Sequence, residues 1–168
     1  MVGQTKELSM TKLIFMILLA CFSAFSTTGD KLSEAELKQK AEAFIHAKNN
    51  RQQPNATIVD IDNYISFLAD DFVDEHIKFN VTITNKDELR KGMIVKLADK
   101  VYFSDINIDQ LMLGDNVVFV KYTESAKVKP SHMDKVVEYT NTSIMSLEFN
   151  NDGLIKHIRR HHGIVLSN

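Results

Sequence analysis

The chain has 168 residues, 44% apolar and 25% charged, which suits one globular domain able to build its own core. Its 22 acidic and 20 basic residues give a formal charge of −2 and alternate along the chain, so no basic block marks a nucleic-acid footprint and nucleic acid is set aside as a partner. The six glycines form no phosphate loop, and neither a Gly-x-Ser-x-Gly elbow nor a Cys-His arrangement occurs, so phosphoryl transfer and covalent nucleophile chemistry lose their usual markers.

Leu13 to Phe25 is apolar apart from Ser23, follows Lys6 and Lys12, and gives way to small polar residues up to Asp30. This is the layout of a secretory signal, and at about thirteen residues it is short for a membrane span. Met10 offers an alternative start to Met1. Two cleavage readings compete. Ala24-Phe25-Ser26 suits signal peptidase, giving a signal over 1–26 and a single domain over 27–168, free in the periplasm or secreted. Leu18-Leu19-Ala20-Cys21 resembles the bacterial lipobox and would make Cys21 a lipid-bearing N-terminus, the one route to a membrane. Cys21 is the only cysteine, so the domain holds no internal disulfide and depends on packing. Three Asn-x-Ser/Thr sequons, at Asn55, Asn80 and Asn141, read as chance matches.

Ser33-Glu34-Ala35-Glu36 forms a capping box, and Leu37, Ala41, Phe44, Ile45 and Lys48 follow at helical spacing, predicting an amphipathic helix over 33–48. After a polar loop containing Pro54, Ile61, Tyr64, Ile65 and Leu68 mark a second helix, capped near Asp60 and ending around Asp70-Asp71. The alternation of Ile77, Phe79, Val81 and Ile83 with polar residues predicts a strand with one wet face. Asn85-Lys86-Asp87-Glu88 opens a third helix, whose buried stripe takes Leu89, Met93, Leu97 and Val101. The rest reads as strand: 102–113, 117–128, 135–149 and 154–162, separated by turns at Gly114-Asp115-Asn116, Lys129-Pro130-Ser131-His132 and Asn150-Asn151-Asp152-Gly153. Helices first and a meander of strands after them is an α+β pattern with the helices on one side of the sheet.

That order, with the segments Phe67-Leu68-Ala69-Asp70-Asp71-Phe72-Val73-Asp74-Glu75-His76 and Leu147-Glu148-Phe149-Asn150-Asn151-Asp152-Gly153-Leu154-Ile155-Lys156-His157-Ile158-Arg159, resembles the NTF2-like superfamily and most closely its SnoaL-like branch. The resemblance covers roughly residues 32–163. It implies a cone in which three N-terminal helices pack on a strongly curved, mainly antiparallel sheet, with a pocket at the open end. Enzymes of the family, ketosteroid isomerase and polyketide cyclases among them, place acid/base residues in that cone; other relatives have no known activity, and some bind proteins.

Carried through from Ala69, the resemblance puts His76 where the isomerase has its catalytic aspartate. A histidine is a workable base near neutral pH, although the departure counts against ketosteroid isomerisation itself. Phe72, Asp74 and His76 share a strand face, which makes Asp74 a candidate orienting carboxylate; the alternative is a solvated polar face. Arg159 falls on the family's Arg or Trp position, on one face with Ile155, His157 and His161, as a candidate for a ligand's anionic or carbonyl group or as half of a cross-strand ion pair with Glu148 or Glu138. His161 is a second candidate base. Tyr64 and Tyr122 offer hydroxyls to a ligand oxygen or belong to the core. His157 and His161 are four apart, but in a strand that separates them by about 13 Å, so this run is rejected as a metal site and no cofactor is expected. Three functions remain: an exported module holding a small, partly apolar ligand in its cone; an acid/base isomerase, cyclase or lyase; and a homodimeric interaction module using the sheet face, for which the alternation of Met145, Leu147 and Phe149 supplies an apolar side.

Overall fold

The structure, a computed structural model, describes residues 31–163. The expected signal, the two possible starts and Cys21 lie outside the described residues. Helix α1 spans Glu34–Asn50, and its start is the capping box expected from the sequence: Ser33 Oγ accepts from the Glu36 amide at 3.3 Å while the Glu36 carboxylate takes the Ser33 N–H at 2.8 Å. Helix α2 spans Ile58–Ser66, its first turn fastened by the Asp60 carboxylate, which accepts from the Thr57 N–H and hydroxyl. It ends four residues earlier than its apolar pattern suggests. Leu68 instead opens strand β1, Leu68–His76, because the Ile155 N–H donates to Phe67 O at 2.8 Å and draws the chain into the sheet.

The alternation at 77–83 does not make one strand. Ile77–Phe79 is a 3-10 turn, Asn80 takes the left-handed conformation with φ 50°, and β2, Val81–Ile83, folds back antiparallel on Asp74–His76. Asn is among the few side chains that accept this conformation at low cost, which allows so tight a reversal. Helix α3 spans Lys86–Val95, capped by Asn85 Oδ1, and tightens into a 3-10 turn at Lys96–Ala98. Val101, expected on the stripe of that helix, belongs to β3, Lys100–Leu113, which is followed by β4, Val117–Lys129, β5, Val137–Phe149, and β6, Ile155–His161.

The strand order is β2-β1-β6-β5-β4-β3, with β1 and β6 parallel and all other neighbours antiparallel, so the sheet is mixed and open, with β2 and β3 at its edges. In the final hairpin Asn150 Oδ1 accepts from the amides of Asp152 and Leu154, and Gly153 adopts φ 74°, which a side chain would resist. The helices cover one face of the sheet. Phe44, Ile61 and Tyr64 from the helices meet Phe72, Val118, Val120, Met145, Leu147, Ile155 and Ile158 from the strands in a single core. Each large side chain sealed there contributes about 1.5–3 kcal/mol through the water it sheds. Among the described residues, no helix is long and apolar enough to cross a membrane.

Candidate functional site

The inward faces of the strands change character along their length. On β4 the inward series runs Val118, Val120, Tyr122, Glu124; on β5, read backwards, Phe149, Leu147, Met145, Ser143; on β1, Phe72, Asp74, His76; on β6, Ile155, Ile158, Arg160. Helix α1 repeats the gradient, with Leu37, Ala41 and Phe44 in the core and Lys48 and then Arg51 at its C-terminal end. Cations there complement the partial negative charge of the helix terminus. The apolar halves make the core, and the polar halves line a cavity of about 720 Å³. This volume is within the usual range for small-molecule sites. Ile83, Leu89, Met93, Leu97, Val101 and Val128 supply an apolar wall.

Two ion pairs anchor the polar end. Arg160 grips Asp74 bidentately, Nε to Oδ1 at 2.7 Å and an Nη to Oδ2 at 2.8 Å, and the same Nη donates to the Tyr64 hydroxyl at 2.8 Å. Asp74 and Arg160 are both buried. Burial works against the guanidinium's charge, but the Tyr64 hydroxyl and Asp74 outweigh it and raise the Arg160 pKa above its ordinary value. In the second pair, Lys48 donates to Glu124 Oε2, while Oε1 accepts from Gln52 at 3.1 Å and from the Tyr139 hydroxyl at 2.8 Å. Burial pushes the Glu124 carboxyl up, yet the Lys48 charge and these three donors prevail and hold it at about 2. Burial also pulls the Lys48 ammonium down to about 8, with Glu124 opposing and Arg51 adding to the fall.

His76 and His162 stack with ring centroids 5.3 Å apart, and His162 Nε2 lies 3.2 Å from His76 Nδ1, so one nitrogen donates and the other accepts. Burial, then the Arg160 charge, lowers both pKa values from the ordinary histidine value and so favours the neutral rings. His76 Nε2 is 3.7 Å from Asp74 Oδ1. Asp74 and Glu124 are each committed to a cation, and the histidine pair supplies the imidazole nitrogens of the cavity. Among the described residues, no three His, Cys, Asp or Glu side chains converge as a metal ion requires. Two buried side-chain polar atoms lack a hydrogen-bond partner among the described residues, Arg51 Nε and Ser104 Oγ, and both residues line the cavity.

Of the residues singled out from the sequence, Tyr64, Asp74, His76 and Tyr122 line this cavity. Phe72 shares their face but is sealed in the core. Arg159 and His161 are exposed on the opposite face of the sheet. Arg159 Nε donates to Glu75 Oε2 at 2.7 Å, an ion pair with a partner on β1 rather than the expected Glu148 or Glu138, and His157 joins the same carboxylate at 3.0 Å. The reversal has a local cause. Glu148 pairs with His157 and Phe149 with Ile155, so Lys156 is an extra residue on β6. This bulge inverts the alternation after Ile155, turning Ile158, Arg160 and His162 inward and Arg159 and His161 outward. Lys48, Arg51, Glu124, Tyr139, Arg160 and His162 were missed by sequence reasoning. The available signal was a charged residue on an otherwise apolar face: Lys48 on the α1 stripe and Glu124 in register with Tyr122.

No protein-family model matches the chain, and no curated protein does. Solved structures do. An LEH-like epoxide hydrolase from M. tuberculosis shares 18% identity at a TM-score of 0.57, over 76% of this chain and 83% of that one. A candidate SnoaL-like polyketide cyclase from Shewanella putrefaciens shares 15% at 0.61, over 76% and 89%. A candidate ketosteroid isomerase from Kribbella flavida shares 12% at 0.53, over 80% and 82%. At such identities the likeness is one of fold, an α+β cone of the NTF2-like kind.

Proposed function

We propose that the cone binds a small, partly apolar ligand. The observation that carries this reading is the two-sided lining of the cavity: an apolar wall from α3 and the strand ends faces a floor of fixed, hydrogen-bonded polar groups. Such a floor is already organised, so a ligand pays little to order it. Native mass spectrometry of gently purified protein tests the reading. A retained small molecule is expected, and it should be lost from Met93→Trp, which fills the cavity; an empty wild-type cavity that also takes up no amphipathic probe would refute the proposal.

A second reading, an acid/base enzyme, is favoured by one observation: the His76 imidazole lines the cavity, with His162 on one nitrogen and Asp74 near the other, and burial lowers its pKa. In that role it would take a proton from a carbon beside a carbonyl or from a water. The hydrolase and isomerase names of the structural neighbours suggest epoxides and ketones as first substrates. Turnover that disappears in His76→Gln while ligand occupancy persists would establish it, and no turnover across both classes would count against it.

Export and self-association complete the proposal. Export rests on residues 1–26, and the mass of the mature N-terminus distinguishes cleavage after Ser26 from lipid on Cys21. Met145, Leu147 and Phe149 face the core, so a homodimer through the sheet would use the outer face, where Met112 and Phe119 are exposed cross-strand neighbours. Light scattering should then give twice the monomer mass, and Phe119→Lys should halve it.

A further inference from the structure

We infer that the ligand bound in the cone carries a carboxylate, and that this carboxylate is held at Arg51. The inference rests on the binding reading above and adds the chemical class of the ligand. Its basis is a charge count within the polar end of the cavity. Three cations are present, Lys48, Arg51 and Arg160, against two carboxylates, Asp74 and Glu124. Lys48 is committed to Glu124 and Arg160 to Asp74. Arg51 has no carboxylate within ion-pairing distance among the described residues.

Both acids are committed to other partners. Both oxygens of Asp74 accept from Arg160, and both oxygens of Glu124 are taken by Lys48, Gln52 and Tyr139. The further charged residues of the lining, Glu88, Lys96 and Asp99, belong to α3 and the turn after it, and Asp99 is engaged by the Ser131 amide. Glu88 and Lys96 are exposed to solvent, which screens them from the interior.

Arg51 is nevertheless held firmly. Its backbone caps the C-terminus of α1, with the N–H on Ala47 O at 3.2 Å, and its guanidinium lies over the Tyr64 ring, 4.6 Å from the centroid. The ring contact orients the charge without neutralising it. Burial depresses its pKa, and Tyr64, Glu124 and Asp74 oppose the fall without reversing it, whereas at Arg160 the opposing groups prevail. Arg51 is half-buried and its Nε is shut off from both solvent and a partner, and a preformed cavity that keeps such a group is best explained by a counterion arriving with the ligand.

Among Lys48, Arg51, Arg160, Asp74 and Glu124 the deficit is one negative charge, which a carboxylate supplies; a phosphate monoester would bring nearly two. The planar guanidinium fork also matches a carboxylate. The orphan hydroxyl of Ser104 is a second donor in the same lining. Gln53 Nε2 donates to Ser104 O at 2.9 Å, tying that strand to the turn that carries Arg51. The apolar wall then takes the hydrocarbon part of the molecule.

Titration calorimetry with octanoate, 1-octanol and octyl phosphate tests this on the full domain. Octanoate is expected to bind roughly ten- to a hundredfold tighter than octanol, the range for one charge-assisted contact in a desolvated site. Arg51→Gln should erase that preference by weakening octanoate far more than octanol, while Arg51→Lys, which keeps the charge without the fork, should retain part of it. Thermal melts of both variants report whether the fold is intact. Equal affinity for octanoate and octanol, unaltered octanoate binding in Arg51→Gln, or tighter binding of octyl phosphate would each overturn the carboxylate assignment and leave the amphipathic pocket standing. Failure of all three probes to bind would instead sink the binding reading itself.

Discussion

Removing Asp74 is expected to be far more damaging than removing any surface acid. Its two oxygens take two of the three hydrogen bonds that hold Arg160, and the side chains of the pair are 2% and 5% exposed. Asp74→Ala would strand a guanidinium whose remaining protein partner is the Tyr64 hydroxyl. Breaking one side of a buried pair costs about 3–5 kcal/mol, which for a domain of this size lowers the melting temperature by roughly 10–15 °C. Tyr64→Phe removes one hydrogen bond while the pair survives and should cost about 1–2 kcal/mol. Replacing both partners, Asp74→Ala with Arg160→Met, removes the stranded charge, so the double variant should be at least about 2 kcal/mol more stable than the sum of the singles predicts. Urea unfolding at low temperature measures all four proteins even where thermal melts become irreversible. A loss below about 1 kcal/mol for Asp74→Ala, or strict additivity in the cycle, would refute the idea that this pair is a tightly coupled buried unit.

Glu124 gives a pH signature. Its folded pKa, about 2, lies below the unfolded value of 4.5, so its stabilisation is full above pH 4.5 and disappears as the pH falls towards 2. Up to about 3 kcal/mol should be lost across that window, and Glu124→Gln should flatten that part of the stability profile. Lys48 works at the other end. Its folded value of about 8 lies below the unfolded 10.5, so the unfolded chain binds more protons between them and stability should rise from pH 8 to 10.5; Lys48→Met abolishes the rise. Gly153→Ala should cost about 1–2 kcal/mol because φ is 74° there, and the cost should persist in a Lys40→Ala background, since the close Lys40 side chain is flexible and the backbone strain is not. Arg159→Ala, on the outer face, should leave octanoate affinity unchanged; a loss comparable to that of Arg51→Gln would place the functional face of β6 on the wrong side.

Local sequence determined most of the secondary structure. The Ser33-Glu36 box starts α1, Asn85 caps α3, the turn ending in Gly153 closes the last hairpin, and the alternation along 117–129 and 137–149 assigns faces that match the sheet. These features depend on neighbours within a few residues, which the sequence displays directly. Tyr64 and Tyr122 were readable from the apolar pattern around them, whereas His76 came from the family resemblance and Asp74 from sharing its strand face. Where pairing between distant strands intervened, the reading changed. The contact of Ile155 with Phe67 converts the end of an apolar helix pattern into β1.

The extra residue at Lys156 exchanges Arg159 and His161 for Arg160 and His162, and one inserted residue is invisible in a sequence whose alternation looks regular on both sides of it. The cavity's charge balance belongs wholly to the tertiary structure. Lys48, Arg51, Asp74, Glu124 and Arg160 come from α1, β1, β4 and β6, and nothing local indicates which of them pair. Pairing is decided by which polar strand ends the fold brings side by side, and that is what leaves Arg51 with its charge unmatched.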